Sequence, residues 1–319
     1  MSATNAPVIA FVVPCFNEQA TLPQTLRELL ARLQSLAKEK RISAKSYILF
    51  VDDGSTDRTW GLIADACKTH RGRVRGLKLA RNAGHQNALL AGLISQIGKA
   101  DATISIDADL QDDISAVGKM IDHFSKRGAD IVFGVRKGRS TDTVFKRGTA
   151  DFYYRLLDWL GAKVIAHHAD FRLMSDRAVR ALASYGEVNL FLRGIVVQLG
   201  FKTATVEFDR LARRHGETKY TLSKMVGLAV DGVTSLSIRP IRIVAGFGVL
   251  LFLAFIGMAA WVFGTWFAGD TVQGWTSVML LFLMISSFQT FAIAVIGEYV
   301  GKTYFEAKAR PRYIIEQEI

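Results

Sequence analysis

Residues Thr103–Asp113, TISIDADLQDD, join a short apolar segment to a cluster of acidic side chains. The segment Thr103–Ile106 favours a buried strand, and the acidic side chains begin directly after it. The same order, an apolar strand and then polar residues, occurs earlier in the chain after Ile9–Val13, Tyr47–Val51 and Val74–Leu79. This repeated order predicts one sheet with a polar edge.

Helical segments separate these strands and a further strand at Ile131–Val135. They are Leu22–Leu36, Thr59–Cys67, Gln86–Ile97 and Ala116–Phe124. The alternation predicts an α/β fold, a mainly parallel sheet with helices on both faces. In such sheets ligands bind at the carboxyl ends of the strands. We therefore expect the polar segments that follow the strands to form one concave site.

The composition places an excess of positive charge on one part of the chain. The 319 residues are 50% hydrophobic and 22% charged, with a mean hydropathy of +0.20 and a net charge of +11. From residue 241 onward basic and acidic residues balance, so the excess lies in residues 1–240. Such a region favours anionic partners, namely nucleotides, nucleic acid or an anionic lipid surface. The two cysteines, Cys15 and Cys67, exclude a disulfide scaffold and a cysteine-built zinc site.

Two uncharged apolar runs follow, Ile243–Ala268 and Trp275–Gly297. Each exceeds the roughly 20 residues that cross the hydrocarbon core as a helix. They predict a transmembrane hairpin in a multi-pass protein of the cell (inner) membrane; a buried hairpin in a soluble protein is the alternative. Basic residues flank the pair at Arg239, Arg242, Lys302, Lys308, Arg310 and Arg312. By the positive-inside rule, both termini and the N-terminal domain are expected to be cytoplasmic.

These features divide the chain into a cytoplasmic globular domain, an amphipathic juxtamembrane segment, a two-helix membrane region and a basic cytoplasmic tail. The bounds of these parts are 1–220, 221–242, 243–300 (helices at about 243–268 and 275–297) and 301–319. Apolar residues at helical spacing in the second part suit a helix on the membrane surface, or one packed against the globular domain.

The acidic cluster after the fourth strand is a candidate metal site. A turn beginning at Ala108 could bring Asp107 and Asp109 together. Two carboxylates suit Mg²⁺ or Mn²⁺, which completes its coordination with waters and substrate phosphates, and Gln111 could add a neutral oxygen. The alternative is that Asp112 or Asp113 caps the next helix by accepting hydrogen bonds from its first backbone N–H groups.

The two adjacent carboxylates after the second strand are candidates for a different contact. Asp52 and Asp53 are too close together for a metal clamp, but either could accept a hydrogen bond from a base N–H or a ribose hydroxyl. A turn through Gly54 and Ser55 into a helix begun by Asp57 is the structural alternative, and the two interpretations are compatible.

The polar segments stand in a distinctive order, with Val13–Glu18 (VPCFNE), Val51–Asp57 (VDDGSTD) and Asp107–Gln111 (DADLQ). This order resembles the family 2 glycosyltransferases with the GT-A fold. Later segments narrow the resemblance to polyprenyl-phosphate glycosyltransferases, the group of dolichyl-phosphate mannose synthases and bactoprenol glucosyltransferases. These segments are Asp170–Met174 (DFRLM), Arg213–Tyr220 (RRHGETKY) and Gly297–Lys302 (GEYVGK). Phe16 stands where Tyr is usual in the family, and Thr218 where Ser is usual.

The resemblance implies a role for residues in each motif. The nucleotide sugar would contact Pro14, Phe16, Glu18, Asp52, Asp53, Arg81, Asp107 and Asp109. Its diphosphate would carry Mg²⁺ or Mn²⁺ held by Asp107, Asp109 and Gln111. Phosphates of donor and acceptor would contact Arg136, Arg147, Arg213 and Lys219. Catalysis would depend on Asp170, Asp109 and Arg136, with Asp170 as a base or as an orienting residue.

The resemblance also implies an activity. A membrane-bound enzyme would move a hexose, with inversion, from a nucleotide sugar to a polyprenyl phosphate such as undecaprenyl phosphate. UDP-glucose is the first expected donor, and GDP-mannose with dolichyl or another polyprenyl phosphate is the alternative. Related proteins imply a homo-oligomer, with a tetramer suspected.

Three other functions fit the sequence less well. A processive polysaccharide synthase typically carries a Gln-x-x-Arg-Trp motif, and the chain has no Arg-Trp dipeptide. An inactive membrane tether that binds a nucleotide sugar leaves the intact Asp107, Asp109 and Gln111 without a use. Nucleic-acid binding explains the positive charge but not the acidic strand ends, so no nucleic-acid partner is expected.

Overall fold

The computed structural model describes residues 6–136, 168–188, 191–209, 237, 239–268 and 274–319, and its centre is an eight-stranded sheet. The strands are β1 (Ile9–Cys15), β2 (Tyr47–Asp52), β3 (Val74–Leu79), β4 (Ala102–Ser105), β5 (Ile131–Arg136), β6 (His168–Ser175), β7 (Thr203–Phe208) and β8 (Ile315–Glu318). Their order across the sheet is β7-β5-β6-β4-β1-β2-β3-β8. Every strand that the sequence predicts is therefore present.

The direction of the strands decides which residues meet at the polar edge. β1 to β4 run parallel, and β7 lies parallel to β5. β6 runs antiparallel between β4 and β5, and β8 is antiparallel to β3. Because β6 runs backwards, its first residues, including Asp170, lie beside the carboxyl ends of β4 and β5. The predicted fold class, α/β with a mainly parallel sheet, is confirmed.

Helices cover both faces of the sheet. They are α1 (Leu22–Lys38), α2 (Thr59–Thr69), α3 (His85–Ser95), α4 (Val117–Arg127), α5 (Asp176–Ala183) and α6 (Leu192–Gln198). One apolar cluster joins α1, α2 and α4 to one face, and a second joins α3, α5 and α6 to the other. Gly92 lets α3 lie directly on the strands, since a Cβ there would come within 2.5 Å of Val12 Cγ1.

A buried carboxylate, Asp130, links several elements at the end of the sheet opposite the polar edge. Asp130 precedes β5, and its side chain accepts hydrogen bonds from two guanidinium nitrogens of Arg177 and from Ser175 Oγ at 3.0 Å. Its backbone N–H donates to the carbonyl oxygen of Lys202 at 2.8 Å. The hydrogen bonds from Arg177 are the main reason that the pKa of Asp130 lies below its ordinary value. Asp130 thus joins the start of β5 to the end of β6 and the segment before β7.

Two long helices follow the sheet domain, α7 (Arg239–Phe267) and α8 (Trp275–Ala307). Both contain stretches long and apolar enough to cross a membrane, Arg239–Met258 and Met284–Ala307, and neither stretch is buried within the described chain. The rings of Phe247 and Phe288 lie 4.7 Å apart, so the two helices touch. A hairpin inside a soluble core would be buried, and this exposure disfavours that alternative. Residues 221–236 of the predicted juxtamembrane segment lie outside the described residues.

The C-terminal residues return to the sheet, which the sequence did not predict. Residues 301–319 were expected as a basic tail, whereas α8 continues to Ala307 and β8 pairs with β3. Lys78 contacts Glu316 at 3.0 Å, and Lys99 contacts Glu318 at 2.7 Å. The strand Ile315–Glu318 is exposed and polar, so no apolar pattern marks it. Backbone pairing with β3, together with these two ion pairs, holds the strand in place.

Candidate active site

A cleft of about 400 Å³ opens where the polar segments leave the strands. It is lined by residues from the ends of β1, β2, β3 and β4, together with Asp170 from β6 and Arg193 from α6. Several residues predicted for the donor, the metal and catalysis lie on it, namely Pro14, Phe16, Glu18, Asp53, Asp107, Asp109 and Asp170. The fold thus brings these predicted residues, which lie far apart in the sequence, together on one cleft.

Hydrogen bonds between two loops shape the rim of the cleft. Asn17 has a left-handed backbone (φ 55), and its N–H donates to Ser55 Oγ at 3.0 Å. The N–H of Glu18 donates to Thr59 Oγ1 at 2.9 Å. These contacts hold the segment after β1 against the segment after β2. Phe16 is left exposed at the rim, where its ring can face a ligand.

Asp53 lines the cleft and also joins the segment after β2 to the segment after β3 by hydrogen bonds. Its two carboxylate oxygens accept hydrogen bonds from the N–H groups of Ala83 and Gly84, at 2.7 and 3.0 Å. Burial raises the pKa of Asp53, and these hydrogen bonds oppose the rise. Gly54 (φ 66) permits the approach, because a Cβ there would lie 2.6 Å from the Arg81 carbonyl carbon. The predicted donor contact of Asp53 stays a prediction.

Two other predicted donor residues lie away from the surface of the cleft. Asp52 is fully buried, and its Oδ2 accepts a hydrogen bond from the N–H of Ser55 at 3.4 Å, while Oδ1 has no hydrogen-bond partner among the described residues. Burial raises the pKa of Asp52. Arg81 is exposed and does not line the described cleft. Their roles as donor contacts also stay predictions.

A turn brings the two predicted metal ligands onto the cleft. The N–H of Leu110, which has a left-handed backbone (φ 46), donates to the carbonyl oxygen of Asp107 at 3.2 Å. Asp109 accepts hydrogen bonds from the N–H and side-chain amide of Gln111, at 3.2 and 2.8 Å. Gln111 therefore orients Asp109 in this structure, and its use as a third ligand stays a prediction. Asp113 caps the following turn by accepting from the N–H of Ser115 at 2.8 Å, as the capping interpretation expected.

Like charges crowd the floor of the cleft. Burial raises the pKa of Asp107 to about 6, and the carboxylates of Asp170 and Asp109 push it the same way. His85 Nε2 lies 3.6 Å from Asp107 Oδ1 and 3.8 Å from Asp170 Oδ2 and opposes the rise. A cation beside Asp107 and Asp109 would relieve this repulsion. Within the described ranges no three His, Cys, Asp or Glu side chains lie together as a metal site. Mg²⁺ usually keeps several waters and binds through one or two carboxylates plus substrate phosphates.

Asp170 has the opposite electrostatic setting. Its Oδ1 lies 3.1 Å from Arg172 Nη2, and its Oδ2 lies 2.9 Å from Arg193 Nη2. Burial alone would raise the pKa of Asp170, but these guanidinium groups hold it well below its ordinary value. An anion this stable is a poor proton acceptor, so the contacts favour the orienting role over that of a base.

The sequence profile of glycosyl transferase family 2 matches residues 10–183, which include the strands and motifs that build this cleft. The chain belongs to glycosyl transferase family 2. The glycosyltransferase is 47% identical to YkoT, an uncharacterized glycosyltransferase of Bacillus subtilis (strain 168), over 97% of this chain and 91% of YkoT. It is 38% identical to a prophage bactoprenol glucosyl transferase homolog of Escherichia coli (strain K12), covering 97% and 98% of the two chains. The bactoprenol glucosyl transferase of Shigella phage SfX is 36% identical with the same coverage.

The family membership confirms the resemblance seen in the motifs, but four predicted basic residues of this glycosyltransferase cannot be placed. Arg147, Arg213 and Lys219 lie outside the described residues, as does the side chain of Arg136. Among the residues that the structure describes, Arg172 and Arg193 are the arginines that contact Asp170. Arg172 could have been found from its position two residues after Asp170, which puts both side chains on one face of a strand. Arg193 gives no such signal, because it stands within the apolar segment Leu192–Val196.

Proposed function

We propose that this protein transfers a hexose from a nucleotide sugar to a polyprenyl phosphate such as undecaprenyl phosphate, with inversion at the anomeric carbon. UDP-glucose is the first candidate donor. The observation that carries the proposal is the similarity, over 97% of the chain, to proteins named bactoprenol glucosyl transferase. This similarity extends past the cleft into the apolar helices, which suit an acceptor with a lipid tail.

The donor side of the cleft suits a nucleotide diphosphate sugar with Mg²⁺ or Mn²⁺. Asp107 and Asp109 would hold the ion, and the raised pKa of Asp107, which comes from burial first and from neighbouring carboxylates second, fits such a use. The ion would supply positive charge for the departing diphosphate. Pro14, Phe16 and Glu18, on the neighbouring wall of the cleft, would contact the nucleotide.

The acceptor side needs little help from a base. A phosphate monoester is largely ionised near pH 7, so one of its oxygens can attack the anomeric carbon directly. The bond between that carbon and the diphosphate oxygen breaks in the same step, and the nucleoside diphosphate leaves with the electron pair. Asp170, held as an anion by Arg172 and Arg193, would orient the groups around the reacting atoms.

The two apolar helices would place the enzyme in the cell membrane. With Arg239 and Arg242 before α7, and basic residues after α8, both termini and the catalytic domain would face the cytoplasm. The isoprenoid tail would then stay in the bilayer while its phosphate reaches the cleft. We extend the proposal to a homo-oligomer, with a tetramer as the first candidate.

Purified full-length protein in lipid, with undecaprenyl phosphate and labelled donors, tests this function. We expect labelled lipid from UDP-glucose, loss of the product with a chelator, and recovery with Mg²⁺ or Mn²⁺. Product from GDP-mannose alone would change the sugar, and a growing polymer would indicate a processive synthase. Nucleotide-sugar binding without turnover of any common donor would overturn the proposal in favour of an inactive tether.

A further inference from the structure

We propose that Arg193 binds the phosphate group of the acceptor lipid. The inference rests on the proposed function and adds a residue that the sequence motifs do not include. Three observations carry it: the unequal burial of the two arginines on Asp170, the ties of the Arg193 segment to α8, and the charges on the donor side.

The two arginines that contact Asp170 differ in burial. Arg172 is wholly buried and contacts Asp170 Oδ1 at 3.1 Å, so it is a permanent counterion. The Arg193 side chain is 47% exposed, lines the cleft, and contacts the same carboxylate through Nε at 3.3 Å and Nη2 at 2.9 Å. Part of the Arg193 guanidinium is therefore exposed on the cleft while it keeps its contact with Asp170, and guanidinium N–H donors suit a phosphate.

The segment that carries Arg193 is tied to the end of the second apolar helix. The N–H of Val188 donates to Glu306 Oε2 in α8 at 2.8 Å, and the Arg312 guanidinium donates to the carbonyl oxygen of Tyr185. The N–H of Leu192 donates to Gln86 Oε1 at 2.9 Å, which fixes the start of α6 beside α3. The wall that carries Arg193 is thus the wall attached to α8. A phosphate whose tail stays in the bilayer would reach this wall first.

The donor has a separate source of positive charge. Its diphosphate would be neutralised by the ion on Asp107 and Asp109, whereas the acceptor phosphate carries about −1.5 to −2 charges of its own at pH 7. Without a second cation, the two anions would repel each other in the cleft. Arg193 would add positive charge for the acceptor phosphate, beside the basic residues already predicted to contact phosphates, from an element separate from the β1 and β4 ends that would hold the donor.

Steady-state kinetics of the full chain in lipid, with Arg193→Gln and Arg193→Lys, test the inference. We expect Arg193→Gln to raise KM for undecaprenyl phosphate about 10-fold or more, with a smaller rise for Arg193→Lys, because a charge-assisted bidentate contact is lost. KM for the sugar nucleotide should change less than about 2-fold, since the ion serves the diphosphate. Arg180→Gln is the matched control: Arg180 is an exposed arginine paired with Asp176 at 2.7 Å, away from the cleft.

A binding measurement separates this inference from the proposed function. Farnesyl phosphate, farnesol and inorganic phosphate are titrated into the detergent-solubilised full chain and into Arg193→Gln. We expect the substitution to weaken farnesyl phosphate binding about 10-fold and to leave farnesol binding unchanged, because only the phosphate contacts the guanidinium. Weak inorganic phosphate binding beside tight farnesyl phosphate binding would identify the lipid as the source of the phosphate.

The possible results distinguish a failure of the inference about Arg193 from a failure of the proposed function. If wild-type protein transfers sugar but Arg193→Gln leaves the acceptor KM unchanged, or raises only the donor KM, the inference is wrong and the proposed function stands. If wild-type protein transfers nothing, the proposed function fails, and unchanged farnesyl phosphate binding in Arg193→Gln would overturn the inference separately. An unchanged thermal unfolding midpoint in Arg193→Lys shows that any loss is not a loss of folding.

Discussion

Two carboxylates, Asp130 and Asp107, lie at opposite ends of the same sheet, and their surroundings differ. At one end, Asp130 accepts hydrogen bonds from Arg177 and Ser175, which lower its pKa. At the other end, the neighbours of Asp107 include Asp109 and Asp170, and burial raises its pKa to about 6. Hydrogen-bond donors of the fold surround the first carboxylate, whereas the second lies among other carboxylates, whose effect His85 opposes.

The difference separates residues that hold the structure from residues that are available to a ligand. A buried carboxylate with a full set of donors contributes to stability, because removing it leaves its partners unsatisfied. A carboxylate crowded by other carboxylates costs stability, and such costs concentrate at functional sites. Asp170 combines both settings, because two arginines stabilise it at the centre of the cleft.

The largest expected effect comes from Asp109→Asn. Removing one of two charged ligands for the ion should lower kcat/KM for sugar transfer by at least about 100-fold, since less positive charge reaches the departing diphosphate. Asp113→Asn is the matched control, because Asp113 lies on the same segment but serves to cap Ser115. Full activity in Asp109→Asn would show that the floor of the cleft is not the catalytic centre.

At the end of the sheet that holds Asp130, Asp130→Asn should lower the free energy of unfolding and leave the rate of sugar transfer unchanged. We expect a loss of about 1–3 kcal/mol in the free energy of unfolding, because charge-assisted hydrogen bonds are lost. Thermal or denaturant unfolding in detergent measures it, and kcat/KM of the folded protein should stay within about 2-fold, since this end does not meet substrate. Asp65→Asn, an exposed acid beside Lys68, is the control with no expected effect. An equally stable Asp130→Asn would remove the distinction between the two ends.

Asp107→Asn should move stability in the opposite direction when no divalent cation is present. Relief of like-charge repulsion should stabilise the fold by up to about 1 kcal/mol; the side chain is 35% exposed, and solvent therefore screens much of the effect. Unfolding in the presence of a chelator measures the change. Destabilisation as large as that of Asp130→Asn would mean that Asp107 is also a structural residue.

Much of the sheet and of the cleft could be predicted from the sequence, because the strands and the polar segments after them are adjacent in sequence. Apolar strands such as Thr103–Ile106 are short and continuous, and the polar residues after them reach one edge by the geometry of parallel sheets. The turn between Asp107 and Asp109 was also predictable, since that segment leaves a strand and enters a helix. These features can be predicted from residues that are adjacent in sequence.

The remaining features depend on contacts between distant residues. The contact of Arg193 with Asp170 requires α6 to pack beside β6, and no motif marks it. The pairing of β8 with β3 joins residues far apart in sequence through backbone hydrogen bonds, which leave no side-chain pattern. The partners of Asp53, the N–H groups of Ala83 and Gly84, are likewise backbone groups.

The smallest and most discriminating effect is the dependence of stability on pH. Because the pKa of Asp130 is lower in the folded than in the unfolded chain, the stability it contributes is present above about pH 4 and is lost as the pH falls through its folded pKa. The unfolding midpoint of the wild type should therefore exceed that of Asp130→Asn by a constant amount from pH 7 to 5, and the gap should narrow below about pH 4.

Asp107 should respond in a different pH range and with the opposite sign. Its folded pKa of about 6 exceeds the unfolded value of about 4, so the wild type should gain stability relative to Asp107→Asn as the pH falls from 7 to 4. Midpoints measured with a chelator at half-unit steps of pH would resolve the two ranges. If both variants differ from the wild type by amounts that do not change between pH 7 and 4, Asp107 has an ordinary pKa, and the crowding of charge at the floor of the cleft does not destabilise the fold.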